Sequence, residues 1–154
     1  MEELIEAWRV NNRINLFLID HISDEGMRCT LSKRGGRDVC RQFAHMHSVR
    51  VWKLQNWDKT FAEGLQTFET QDHPSKERLK GALSDSGAQI ARFIEAAGKG
   101  ETKSPGLKMG LGVSVGYFIS HESHHRGSIL LTLKQCGHRV DQRTQYAIWD
   151  WDKM

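Results

Sequence analysis

Apolar residues recur at helical rather than strand spacing along most of this chain. From Met1 to about Ile22, Leu4, Ile5, Trp8, Ile14, Phe17 and Leu18 return at helical intervals with no internal Gly or Pro, the pattern of an amphipathic helix with one buried face. That helix is expected to end near Ser23-Asp24-Glu25-Gly26. A polar connection passes through Gly35-Gly36, and a second helix is expected from about Arg37 to Gln55. Between Asn56 and Pro74 the periodicity fades, and Phe61, Leu65 and Phe68 fit either a short helix or an ordered loop. Ser75 can cap a third helix reaching about Ala97, with Leu79, Leu83, Ile90, Phe93 and Ile94 on its apolar side. The stretch from Gly98 to Gly106, rich in Gly, Pro and polar residues, breaks the chain. A further helix contains Val113 to Gln135, with Gly137 placed to terminate it after Cys136. The tail from Arg139 to Met154 carries Tyr146, Ile148, Trp149 and Trp151 and is expected to pack across the other helices.

Four long amphipathic segments, short polar connections and no alternating strand pattern predict an all-α four-helix bundle. A chain of 154 residues fits one domain, 1–154, with a core large enough to fold without disulfides. No internal repeat or low-complexity tract is present.

Composition narrows the function classes. The net charge of +3 is small and its cations are scattered, so no nucleic-acid partner is expected. Cys29, Cys40 and Cys136 are odd in number and far apart, which argues against a disulfide framework and for a reducing cytoplasm. The opening M-E-E-L-I-E lacks a basic region followed by an apolar run, and no segment approaches a membrane span. Neither secretion nor a membrane partner is expected.

The densest chemistry lies in the helix over Val113–Gln135, where His121, His124 and His125 fall within five residues. At about 100° per residue, Ser114, Phe118, His121, His125, Ile129 and Thr132 share one face, so His121 and His125 stack one turn apart. Two imidazoles at i and i+4 can hold one metal ion from one side, and bundles complete such sites from a facing helix. The second helix offers His45 and His47. On its wheel, His47 lies near the middle of the apolar face set by Val39, Phe43 and Leu54, and His45 lies at the edge. A site of three histidines with an open position would be of the catalytic type. His21, His73 and His138 read as surface residues, and His124 as either a support for the site or an exposed side chain.

His121-Glu122-Ser123-His124-His125 also satisfies the H-E-x-x-H pattern of zinc peptidases. The longer metzincin form fails, because Ser128 and Leu131 occupy its glycine and third-histidine positions. No glutamate follows Glu122, so only Asp141, Asp150 or Asp152 remains as an acidic third ligand. Glu122 itself reads as a base beside the site or a surface acid. Arg126 reads as a partner for an acid elsewhere on the bundle or for a substrate carboxylate.

The run F-I-S-H-E-S-H-H-R-G-S-I-L-L-T-L-K-Q-C-G, with R-Q-F-A-H-M-H-S-V-R-V-W-K-L upstream and Y-A-I-W-D-W near the end, resembles the DinB/YfiT-like family of small bacterial four-helix-bundle proteins. These are unrelated to the DNA polymerase of the same name. The resemblance spans essentially the whole chain and implies a divalent metal held by three histidines. Matching the family's A-H-[IL]-x-x-[VA] run onto Ala44-His45-Met46-His47-Ser48-Val49 makes His45 the first ligand, with His121 and His125. The sequence does not name the metal: neutral imidazoles suit zinc, nickel, copper and iron(II), and zinc or nickel is expected first, with iron or manganese after them. Relatives include enzymes that use bacillithiol- or mycothiol-type thiols, which implies a small-molecule thiol and an electrophilic substrate as partners, and a homodimer as assembly. The expected function is a metal-dependent thiol S-transferase acting on small electrophiles. The alternatives are a metal-binding stress or interaction protein without catalysis and, behind it, an H-E-x-x-H zinc hydrolase.

Overall fold

Two of the long helices start where a short polar side chain can take up a free amide. Asp38 accepts a hydrogen bond from the Arg41 amide at 2.8 Å, and Ser75 accepts one from the Arg78 amide at 3.2 Å, as N-cap residues do. The computed structural model describes residues 1–154 and contains no strand. Its helices are α1 (Glu2–His21), α2 (Asp24–Met27), α3 (Val39–Trp57), α4 (Lys76–Gly98), α5 (Leu111–Gln135) and α6 (Gln142–Ala147). Gly137 follows α5 with φ of 79°, and the His138 amide reaches back to the Leu133 carbonyl at 2.9 Å. That left-handed residue is the helix stop expected of a C′ glycine.

The four long helices form a bundle in which α1 and α3 each pack on both α4 and α5. One apolar cluster joins Ile14 and Leu18 of α1, Phe43 of α3, Leu79 of α4 and Leu133 of α5. A second joins Trp8 of α1, Leu54 of α3, Phe93 of α4 and Phe118 of α5. Late residues of α1 and α5 therefore meet early residues of α3 and α4, so α1 and α5 run one way and α3 and α4 the other. Parallel neighbours cannot be joined by a tight turn. The expectation of short connections fails at this link, and residues 58–75 cross back along the bundle. After a short 3-10 turn at Lys59–Ala62, Leu65 packs on the second cluster and Phe68 on the first.

A polar layer with Asn11, Asn15, Arg50 and Glu122 fully buried at its centre lies between the two apolar clusters. Glu122 Oε1 accepts from Arg50 Nε at 2.6 Å, and Oε2 accepts from Arg50 Nη2 at 2.8 Å and from Asn11 and Asn15 at 2.7 Å each. Arg50 Nη1 also donates to Asn12 Oδ1 and the Leu83 carbonyl, and its guanidinium lies 4.6 Å from the Trp8 ring centroid. Arg126 donates to Asn11 and Asn15 in turn. Every long helix thus contributes to one hydrogen-bonded set, which a buried ion pair requires if it is not to be costly.

The tail behaves differently from expectation. Val140 and Ile148 enter the first apolar cluster, but Tyr146 and Trp149 remain 67% and 77% exposed. No helix is long and apolar enough to cross a membrane.

Candidate metal centre

The buried face of α5 runs through Ser114, Val115, Phe118, Glu122, Arg126, Ile129, Thr132 and Leu133. Ser114, Phe118, Ile129 and Thr132 of the expected face are in it, but its centre is turned past Glu122 rather than lying on His121 and His125. Those two histidines flank the core on the side turned to α3 and are only half-buried. His45 of α3 is half-buried too and faces them. The ring centroids lie 5.4 Å apart for His45–His121, 5.0 Å for His45–His125 and 4.7 Å for His121–His125. One ring nitrogen from each lies within 4.8 Å of the other two.

His47 is absent from this group. It is buried on the α4 side of α3, where Nδ1 lies 3.0 Å from Ser86 Oγ and Nε2 lies 2.9 Å from the Gln66 carbonyl. Both nitrogens are occupied, so His47 ties α3 to α4 and to the crossover. The wheel placed it correctly in the core, and that burial is what removes it from the cluster. His21, His73, His124 and His138 are exposed.

Desolvation dominates the electrostatics of the three clustered imidazoles. Burial, reinforced by the Arg37 charge and by His121, holds His45 down to about 4. Burial, with His121 and His45 adding to it, holds His125 down to about 4. His121 is also lowered, by burial first, although the adjacent Glu122 charge works against the shift. All three are neutral at pH 7 and have lone pairs to offer. His125 Nδ1 lies 3.3 Å from Gln42 Oε1; an amide oxygen only accepts, so that contact uses the tautomer with its proton on Nδ1, in which Nε2 keeps its lone pair. The Nδ1 of His121 is buried without any hydrogen-bond partner, an orphan of the kind a metal ion or its water would satisfy. The donor set and its protonation therefore fit a divalent ion.

Aromatic residues wall the cluster. The Tyr117 ring lies parallel to His121 at 6.0 Å, and Trp52 stands edge-on to His45 at 6.3 Å. Beside His45 opens a cleft of about 500 Å³ bordered by Arg37, Arg41, Ser48, Trp52 and the crossover residues Thr67 to Thr70. Tyr117 and Gln42 escaped the sequence reading, yet helical spacing carried the signal. Tyr117 is one turn before His121, and Gln42 is three residues before His45.

Glu122 is neither a surface acid nor a base beside the histidines. Its side chain is fully buried, and although burial works to raise its carboxyl, the Arg50 and Arg126 charges hold it below the usual carboxylate range. All of its hydrogen bonds lead into the bundle. Arg126 is 7% exposed and bonded to Asn11, Asn15 and Ser123, so it is committed to the polar layer and unavailable to a substrate. The acid and base roles that H-E-x-x-H requires have no geometry here, and the side chain that joins His121 and His125 is an imidazole rather than a carboxylate.

A family model described as the DinB family matches residues 1–152. No curated protein and no solved structure matches the chain.

Proposed function

The chain belongs to the DinB family, and from that premise we propose that it binds one divalent metal ion through His45, His121 and His125 and acts as a metal-dependent thiol S-transferase on small electrophiles. The observation that carries the reading is the convergence of three neutral imidazoles from two helices, one of them with a buried, unpartnered nitrogen. A bound ion supplies Lewis-acid chemistry, lowering the pKa of a thiol so that thiolate is available at neutral pH. Zinc and nickel are the ions to test first, because neutral imidazole suits both.

The chain's own residues supply position and access. Gln42 lies within hydrogen-bonding reach of His125 Nδ1, and Tyr117 stands parallel to the His121 ring. The Glu122–Arg50 pair ties α5 to α3 inside the bundle, away from the three imidazoles. Arg37 and Arg41 join none of the ion pairs in the structure, and both border the cleft beside His45. Their guanidinium groups are free to hold a carboxylate on either reactant.

The test is consumption of a low-molecular-weight cysteine thiol in the presence of a small haloaromatic electrophile. The zinc- or nickel-loaded protein should accelerate it, the chelated protein and His125→Ala should not, and restoring the ion to chelated wild type should restore the rate. Acceleration that persists after chelation and in His125→Ala would contradict the proposal.

A further inference from the structure

A second group of metal-capable side chains lies at the start of α3, on the face turned to α4 rather than α5. Asp38 spends one oxygen on capping: Oδ1 accepts from the Arg41 amide at 2.8 Å. Its other oxygen, Oδ2, lies 3.1 Å from Nδ1 of His73, at the end of the crossover. Cys40, in the first turn of α3, is 4% exposed, and its Sγ reaches the Pro74 carbonyl at 3.4 Å. One donor atom each from Asp38, Cys40 and His73 lies within 4.8 Å of the other two. None of the three belongs to the His45–His121–His125 cluster.

Thiolate, imidazole and carboxylate are the three donor types that zinc accepts in proteins. With Zn–N and Zn–O near 2.0–2.1 Å, a tetrahedral ion holds two such donors about 3.3 Å apart. The 3.1 Å between Asp38 and His73 already approaches that spacing. His73 is exposed and sits in the loop before α4, so its ring has room to close on the sulfur. Cys40 and His73 also line a cleft of about 370 Å³ with Asp24, Arg28 and Lys76, which leaves a fourth position open to water. The nearby Lys76 ammonium is turned aside, donating to the Ile22 carbonyl at 2.8 Å.

We infer that Asp38, Cys40 and His73 form a second metal site, of the zinc class, which pins the end of the 58–75 crossover to the start of α3. Binding displaces the thiol proton of Cys40 to solvent and exchanges the weak Sγ contact with Pro74 for a metal–thiolate bond. It also gives the crossover a second anchor: His47 holds its middle at Gln66, and the ion holds its end at His73. A simple Asp38–His73 ion pair would account for the 3.1 Å contact without any metal, so the test must read the sulfur.

Cobalt(II) does so, because only a thiolate ligand gives an intense sulfur-to-cobalt charge-transfer band in the near ultraviolet. Reduced, metal-free protein is titrated with cobalt(II) as wild type, His45→Ala, Cys40→Ser and His73→Ala. The band should grow in wild type and in His45→Ala and be lost in Cys40→Ser and His73→Ala. Visible d–d absorption from the three-histidine site should survive in the last two variants and disappear from Cys40→Ser carrying His45→Ala as well. Absence of the band from wild type, or its persistence in His73→Ala or Cys40→Ser, would overturn the second site. His73 is exposed, so its variant keeps the test decisive even if Cys40→Ser folds poorly. Loss of the d–d absorption alone would instead count against the three-histidine reading.

Discussion

Glu122 stands beside His121 in sequence but not in chemistry, because one step along a helix turns the side chain by about 100°. That turn sends the carboxylate to Arg50 in the core and leaves the imidazole facing His45. Glu122→Ala should therefore act on stability: it leaves the Arg50 charge buried without its partner, at a cost of about 3–5 kcal/mol. Urea unfolding would show this as an earlier midpoint, while metal bound per folded chain stays unchanged; lost metal with full stability would contradict the assignment. The clustered histidines predict a pH effect as well. His45 and His125 are held down to about 4 in the folded chain, against about 6.5 when unfolded. Between those values the unfolded chain binds more protons, so metal-free protein should lose stability as pH falls from about 6.5 toward 4. The urea midpoint of chelated protein across that range checks this, and the double variant His45→Ala, His125→Ala should flatten the slope.

At the scale of elements, caps and stops were legible and rotation was not. Ser75 and Gly137 announce helix ends because their local hydrogen bonding and backbone freedom need no tertiary context. The rotation of α5 could not be read the same way. A buried Glu and Arg look like solvated charges until Asn11, Asn15 and Arg50 arrive from other helices, so the wheel was drawn toward the histidines. Matched motif residues favour His45 as the ligand, whereas burial alone ranks His47 higher. The direction of α4 was also hidden, because a faint apolar pattern over residues 58–75 does not show that the segment crosses the whole bundle. Contact between elements offers its own test at Gly87, whose carbonyl accepts from Trp8 Nε1 at 2.8 Å and where an added Cβ would meet Asn12 Nδ2 at 2.5 Å. Asn12 is held by Arg50 and cannot simply swing away. Gly87→Ala should push α1 from α4 and cost about 1–3 kcal/mol, read as a lower midpoint in chemical unfolding; an unchanged midpoint would show that the contact yields freely.

For the whole molecule, two apolar clusters joined through one satisfied polar layer are expected to hold the bundle together without an ion. Removal of metal by a chelator should leave the far-ultraviolet circular dichroism of the helices in place while abolishing thiol consumption. Collapse of helicity on chelation would instead assign the ion a structural role. The most direct test of the central claim is metal content by plasma mass spectrometry on untagged protein loaded with zinc or nickel, after Cys40→Ser and His73→Ala have removed the second cluster from the count. About one ion per chain should remain in that background and vanish with His45→Ala or His125→Ala. It should persist in His47→Ala, although that variant loses about 1–3 kcal/mol of stability because buried partners of His47 are left unpaired. An ion that survives His45→Ala and disappears with His47→Ala, or no ion at all before any histidine is changed, would contradict the assignment of the site to His45, His121 and His125.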